Sequence, residues 1–150
     1  MKKVVIVGGG VSGLTCAIYL SRFGHDVTVF NNSSYGSLSE TPLIENFPGF
    51  PNGISGLDLL IAMEEQAVKF GAKIEFDRII EIEQRENFIL SEYFTKEIKY
   101  DALVIATGMT PNKLENFSDG TFRNNIHYCA TCDGNSYKDK KVIVVGGGDS

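Results

Sequence analysis

Val4-Val5-Ile6-Val7 is an unbroken apolar, β-branched run with no polar alternation. Such a run predicts a parallel strand covered on both faces. Leu14, Ala17 and Ile18 then recur on one side of a helix predicted over Leu14–Phe23, with Gly24 as its stop. Val27–Phe30 is a second apolar strand, completing a βαβ unit. Leu60, Met63, Ala67 and Phe70 follow 3, 4, 3 spacing, which predicts an amphipathic helix over Leu57–Phe70 ended by Gly71. Lys73–Phe76 reads as another strand of the main sheet. From Ile79 the pattern changes to short alternating runs. Ile79–Glu83, Phe88–Leu90 and Tyr93–Lys99 predict an antiparallel meander with one solvated face. Ala102–Ala106 returns to the buried-strand pattern and stops at Thr107-Gly108, and Val142–Val145 repeats that pattern once more. The expected class is α/β: a parallel sheet with a small antiparallel meander.

Between these elements lie two informative connections. Residues 31–56 are polar and rich in Ser, Asn, Gly and Pro, too long for an ordinary link, and loops of that size in compact domains are usually functional. Gly8-x-Gly10-x-x-Gly13 follows the first strand and opens the first helix. In that context Gly8 permits a tight turn, Gly10 lets backbone approach a pyrophosphate, and Gly13 lets helix and strand pack closely. The helix N-terminus adds N–H groups and partial positive charge for the phosphates. A Rossmann-like dinucleotide site is therefore expected. One position departs from the pattern: the second strand should end near an acid that holds ribose hydroxyls, and here it ends at Asn31-Asn32. Asn31 can hydrogen-bond a hydroxyl without the charge-assisted strength of a carboxylate, and it reads equally well as a plain turn residue.

The opening turn recurs. Val142-Ile143-Val144-Val145-Gly146-Gly147-Gly148 repeats Val4-Val5-Ile6-Val7-Gly8-Gly9-Gly10, with no helix after it. The expectation is one domain plus the opening of a second, truncated one.

Composition narrows the function classes. The hydrophobic share of 43% and charged share of 22% are those of a soluble globular protein. A net charge of −5 with no long basic run argues against nucleic acid as a partner. No run approaches the ~20 apolar residues of a membrane span, and the apolar start breaks at Gly8-Gly9-Gly10, too early for a signal peptide. Three cysteines do not make a secreted disulfide framework, so a cytoplasmic redox role fits Cys129-x-x-Cys132 better.

That pair, followed by Asp133, carries the candidate chemistry. Thiols at this spacing can close a small disulfide ring, and the arrangement typically lowers the pKa of one of them. A neighbouring carboxyl could carry protons for a leaving thiolate. Alone, the pair is ambiguous between a redox centre, half a metal site and coincidence. A zinc site needs four ligands, and Cys16, His25 and His127 do not supply the usual spacing, so no metal is expected. Cys16 reads as a small buried apolar residue, His127 as a surface residue with proton transfer as the alternative, Tyr128 as having no assigned catalytic role, Glu64-Glu65 as the solvated face of their helix, and Phe88, Tyr93 and Phe94 as core or cover.

The glycine fingerprint, Glu45-Asn46-Phe47-Pro48-Gly49, Ile105-Ala106-Thr107-Gly108, Cys129-Ala130-Thr131-Cys132-Asp133-Gly134 and the final Gly-Gly-Gly-Asp-Ser occur in an order and spacing that resembles low-molecular-weight thioredoxin reductases along the whole chain. The resemblance implies an FAD domain interrupted by an NADPH domain that carries the cysteines. By that map residues 1–112 are the first FAD segment and 113–150 the truncated start of the NADPH domain. It implies that Gly8, Gly10, Val11, Ser12 and Gly13 hold the FAD pyrophosphate, that Leu38 and Asn46 lie along the ribityl and flavin region, and that Thr107 and Gly108 pass close to the cofactor. Gly146 and Gly148 would begin the NADPH phosphate turn. Non-acidic residues also occur at the family's ribose position, as Asn31 does here. The family usually has Gly-Gly-Gln-Leu where this chain has Tyr35-Gly36-Ser37-Leu38, so a Gln contact to the flavin side is lost. The implied activity is electron transfer from NADPH through FAD to the cysteine disulfide and on to thioredoxin, with Cys132 facing the flavin, Cys129 attacking thioredoxin and Asp133 as the acid; full length, a homodimer is implied. Two competing readings remain open at this point. One is a related flavoprotein, either a dithiol oxidase or a ferredoxin-fed reductase. The other is a non-catalytic fragment that binds FAD weakly and has no turnover.

Overall fold

The structure, a computed structural model, describes residues 1–32, 36–83, 86–92, 97–109, 126, 127, 130 and 134–146. The chain falls into two compact units, Met1–Gly108 and Met109–Ser150.

In the first unit the elements run β1 (Lys3–Val7), α1 (Val11–Arg22), β2 (Asp26–Asn31), a 3-10 turn (Ser37–Glu40), α2 (Gly56–Lys69), β3 (Lys73–Phe76), β4 (Ile79–Glu83), β5 (Phe88–Ser91), β6 (Glu97–Lys99) and β7 (Ala102–Ile105). A parallel sheet has the order β3-β2-β1-β7, and β4-β5-β6 form a separate antiparallel sheet. The chain thus has the Rossmann-like α/β architecture that the hydrophobic pattern predicts.

The register explains why β1 is apolar throughout. Val4 and Ile6 share a core with Leu14, Ala17 and Ile18 of α1 and Leu59, Leu60, Met63 and Ala67 of α2. Val5 points the other way, into a second cluster with Phe30 and Ile89 of β5. Successive side chains on a strand face opposite sides, so a strand buried on both faces shows no alternation. Both helices end alike. Gly24 N–H donates to Ser21 O and His25 N–H to Leu20 O; Gly71 N–H donates to Val68 O and Ala72 N–H to Ala67 O. These paired bonds satisfy last-turn carbonyls that the helix itself leaves open.

Several expectations are corrected. α1 begins three residues earlier than Leu14, because Gly10 is its N-cap and Gly13 already lies in its first turn. Phe70 is the C-cap of α2 and stays 36% exposed, whereas Leu59, outside the 3, 4, 3 series, is buried. β7 does not have the double burial that its composition predicts: it pairs only with β1 among the described strands, and Ile105 is exposed. In the meander, Ile80 is an extra residue between the pairs Ile79↔Ser91 and Glu81↔Leu90, and this bulge turns it outward. Tyr93 and Phe94 lie outside the described residues.

In the second unit, Gly134–Tyr137 form a 3-10 turn. Val142–Val145 are no strand: all four side chains are more than half exposed. An apolar tetrapeptide becomes a strand only where neighbours take its backbone hydrogen bonds, and no described residue does so here. Among the described residues no helix is long and apolar enough to cross a membrane.

Candidate functional site

The site is built where β1 runs into α1. Gly8 has φ +111°, a conformation that side chains oppose, and an added Cβ would stand 2.2 Å from Ala106 O and 3.0 Å from Thr107 N. The turn is therefore pressed against the chain leaving β7. Gly8 N–H donates to Phe30 O at 2.8 Å and Ala106 N–H to Val7 O at 2.8 Å, which extends both ladders past the strand ends. Gly13 has an equally close approach: a Cβ there would be 1.9 Å from Gly8 O. These contacts bring Gly8, Gly13 and Thr107 together, as the motif requires.

Gly10 differs from both. Apart from its chain neighbours, no described residue lies within 4 Å of the Cβ it lacks. It caps α1 with no side-chain hydrogen bond, and no acid sits in the first turn of that helix. Val11, Ser12 and Gly13 are the first helical residues, and in any α-helix the first N–H groups have no intrahelical acceptor. A helix start with open space before it and no carboxylate beside it suits an anionic phosphate. The residues present fit the pyrophosphate of a dinucleotide.

Asn31 is not a turn residue. It is the last residue of β2, paired with Phe76, and only 6% exposed. Its side chain lies under the glycine turn, with Nδ2 2.7 Å from the Cβ that Gly9 lacks. Gly9 occupies a variable position of the fingerprint, so the motif gives it no role. The signal available in the sequence is a glycine at the middle of three in a row, where the motif does not require one.

The long connection reaches the same core. Leu38, Phe47 and Phe50 are partly buried against the cluster that includes α1, as is Val11. Ile44 and Ile54 form an isolated antiparallel bridge that closes the segment between them, and Asn46 lines an open hollow of about 510 Å³ formed by Glu45–Pro51. Gly108 directly follows Thr107 at the end of the first unit.

In the second unit, Gly146 has φ +104°, close to the +111° of Gly8, so the repeated sequence adopts the repeated backbone state at its first glycine. Gly148, Cys129, Cys132 and Asp133 lie outside the described residues. His127 is exposed, with Nε2 2.6 Å from the Tyr137 hydroxyl, and Lys140 Nζ stands 5.5 Å from the Tyr137 ring centre.

Away from the site, Glu64 departs from the solvated role expected of it. One of its carboxylate oxygens is buried without a hydrogen-bond partner, and burial pushes its carboxyl above the ordinary value. Cys16 is half-buried and packs against the main core, in keeping with an apolar role.

Residues 2–150 match the family described as pyridine nucleotide-disulphide oxidoreductase. The chain belongs to that family. Among its relatives, the thioredoxin reductase of Buchnera aphidicola subsp. Schizaphis graminum is 39% identical over 99% of this chain and 47% of its own length. The thioredoxin reductase of Chlamydia pneumoniae is 42% identical over 99% of this chain and 50% of its own. The solved thioredoxin reductase of Giardia duodenalis superposes with a TM-score of 0.77 at 31% identity, over 89% of this chain and 44% of that one. The chain spans about half the length of the curated relatives it matches.

Proposed function

We propose that the full-length protein is an NADPH-dependent, FAD-containing thioredoxin-disulfide reductase. The observation that carries this reading is Cys129-Ala130-Thr131-Cys132-Asp133-Gly134, set between two glycine turns in a chain matched by the oxidoreductase family from residue 2 to 150. Residues 1–112 are read as the first FAD segment and 113–150 as the start of the NADPH domain. Gly8, Gly10, Val11, Ser12 and Gly13 hold the FAD pyrophosphate at the start of α1, and Asn31 meets the adjoining ribose edge. Leu38 and Asn46 lie along the ribityl and flavin, Thr107 and Gly108 border the cofactor, and Gly146 and Gly148 open the NADPH phosphate turn. FAD, when bound, supplies the two-electron relay between nicotinamide and disulfide.

The chain's own residues perform the exchange. The Cys129 thiolate attacks one sulfur of the partner disulfide, and the other partner sulfur leaves, taking a proton from Asp133. Cys132 then displaces the partner from the mixed disulfide, its thiol proton passing to the departing sulfur, so the Cys129–Cys132 bond closes and the partner departs as a dithiol, two electrons richer. A thioredoxin-like protein is the partner, the full-length protein is a homodimer, and its place is the cytoplasm. The test is the full-length protein with NADPH and oxidised thioredoxin. Steady reduction is expected for the parent, and Cys129→Ser is expected to abolish it while NADPH still bleaches the flavin. Thioredoxin reduction that survives Cys129→Ser overturns the assigned roles.

A further inference from the structure

Resting on the FAD reading above, we propose that Gly56 is a positioning residue for the flavin-side loop: the first residue of α2 forms a seat that fixes the backbone of Leu38. The geometry is a contact between backbones. A Cβ on Gly56 would stand 1.8 Å from Leu38 O, 2.8 Å from Leu38 C and 3.3 Å from Thr41 O. Gly56 N–H donates to Thr41 O at 2.9 Å, and Thr41 N–H donates to Leu38 O at 3.0 Å. Thr41, the residue that caps the 3-10 turn Ser37–Glu40, is thereby hydrogen-bonded to the start of α2, while the Leu38 carbonyl inside the turn lies directly against Gly56.

That helix start is itself well anchored. The Ser55 hydroxyl accepts from Asp58 N–H at 3.1 Å and donates to the Asp58 carboxylate at 2.7 Å, and Leu59 and Leu60 behind it are buried. Gly56 lies in the first turn of α2 and, unlike Gly8, needs no left-handed backbone. Its lack of a side chain therefore serves the approach of Leu38 alone, since alanine at the same backbone angles favours a helix. With α2 held by its cap and core, the loop is the part that yields to an added methyl group. The carbonyl of Leu38 would have to retreat by about 1.5 Å to regain ordinary contact, carrying the Leu38 side chain with it. A displacement of that size at a binding site commonly costs about tenfold or more.

The experiment is Gly56→Ala in the full-length protein, with two readouts. Amide hydrogen exchange is expected to speed up at least about tenfold at Thr41, while Leu59 and the rest of α2 keep parental protection. FAD titration followed by flavin fluorescence is expected to show at least about tenfold weaker binding, with a shifted visible absorption band for the flavin that remains bound. Parental exchange at Thr41 overturns the seat, and so does a variant that loses α2 protection or fails to fold, because the helix then absorbs the clash. Faster exchange with parental flavin affinity and spectrum overturns the positioning role. If the parent itself binds no FAD, the functional reading fails separately, and exchange at Thr41 still decides whether the seat exists.

Discussion

Gly10→Ala and Gly13→Ala add the same methyl group three residues apart, and their effects should part company. At Gly13 the new carbon would sit 1.9 Å from Gly8 O, with Ile6 Cγ2 3.4 Å away. Neither neighbour is a flexible chain end, so α1 must move off β1 by more than 1 Å or rotate, loosening Leu14, Ala17 and Ile18 against Val4 and Ile6. Overpacking of this kind costs about 1–3 kcal/mol, offset by up to about 1 kcal/mol from the better helix propensity of alanine. With the full offset the net loss is up to about 2 kcal/mol, which lowers a urea midpoint by up to roughly 1 M for a slope near 2 kcal/mol/M. At Gly10 the methyl group meets no described residue beyond its chain neighbours. Its cost is that of a poorer N-cap, about 0.5 kcal/mol. Yet it fills the space through which a phosphate would approach, so FAD affinity should fall at least about tenfold, as for a blocked phosphate cradle. Paired urea titrations of the FAD-free proteins and flavin titrations of the same samples check both halves. Equal destabilisation by the two variants, or unimpaired FAD binding by Gly10→Ala, refutes the division between a packing glycine and a ligand glycine.

Two further outcomes concern buried polar groups. The Ser91 hydroxyl is fully buried without a partner, so Ser91→Ala should leave stability unchanged or raise it by up to about 1 kcal/mol in urea unfolding; a loss of that size would reveal a hidden acceptor. Burial raises the Glu64 carboxyl above 4.5, so the folded chain binds that proton more tightly than the unfolded one. Stability from this group is then present at low pH and lost as pH climbs through the raised value. Glu64→Gln should remove that slope and stabilise the protein at pH 7 relative to the parent, read as unfolding midpoints across pH 4–8.

The sheet was legible in the sequence wherever burial is decided locally. Val4, Ile6, Val27, Val29 and the Leu14, Ala17, Ile18 stripe share one core within the opening βαβ unit, joined by α2, and each lies where its pattern predicts, whereas Val5 and Phe30 are covered by the distant Ile89. Val142–Val145 has the same composition and is exposed, because apolar β-branched residues state a preference for a sheet without supplying its neighbours. The ends of α1 and α2 followed from Gly24 and Gly71, but the start of α1 did not: a first turn containing glycine looks like a loop until its packing is seen. The glycine fingerprint names Gly8, Gly10 and Gly13 as a group and does not separate the close packing at Gly8 and Gly13 from the open space at Gly10. Gly9 and Gly56 were silent for a different reason. Their partners, Asn31 and the Leu38 carbonyl, lie 22 and 18 residues away, and a close backbone approach leaves no periodic trace.

β1 is the second strand from the β7 edge, and its two neighbours come from very different places along the chain. β2 begins at Asp26, but β7, paired through Val4↔Ala102 to Val7↔Ile105, begins only at Ala102. Lys3 N–H also donates to the Asp101 carboxylate at 2.7 Å. At about 5–20 residues per second of synthesis, β1 waits on the order of 5–20 s after it is made before its second neighbour exists. During that interval one edge of a strand with three buried apolar residues is open to any other chain that offers backbone hydrogen bonds. The nascent protein is thus exposed to mispairing from the synthesis of β1 until that of β7, and slowing the ribosome between Phe30 and Ala102 should lower its soluble yield.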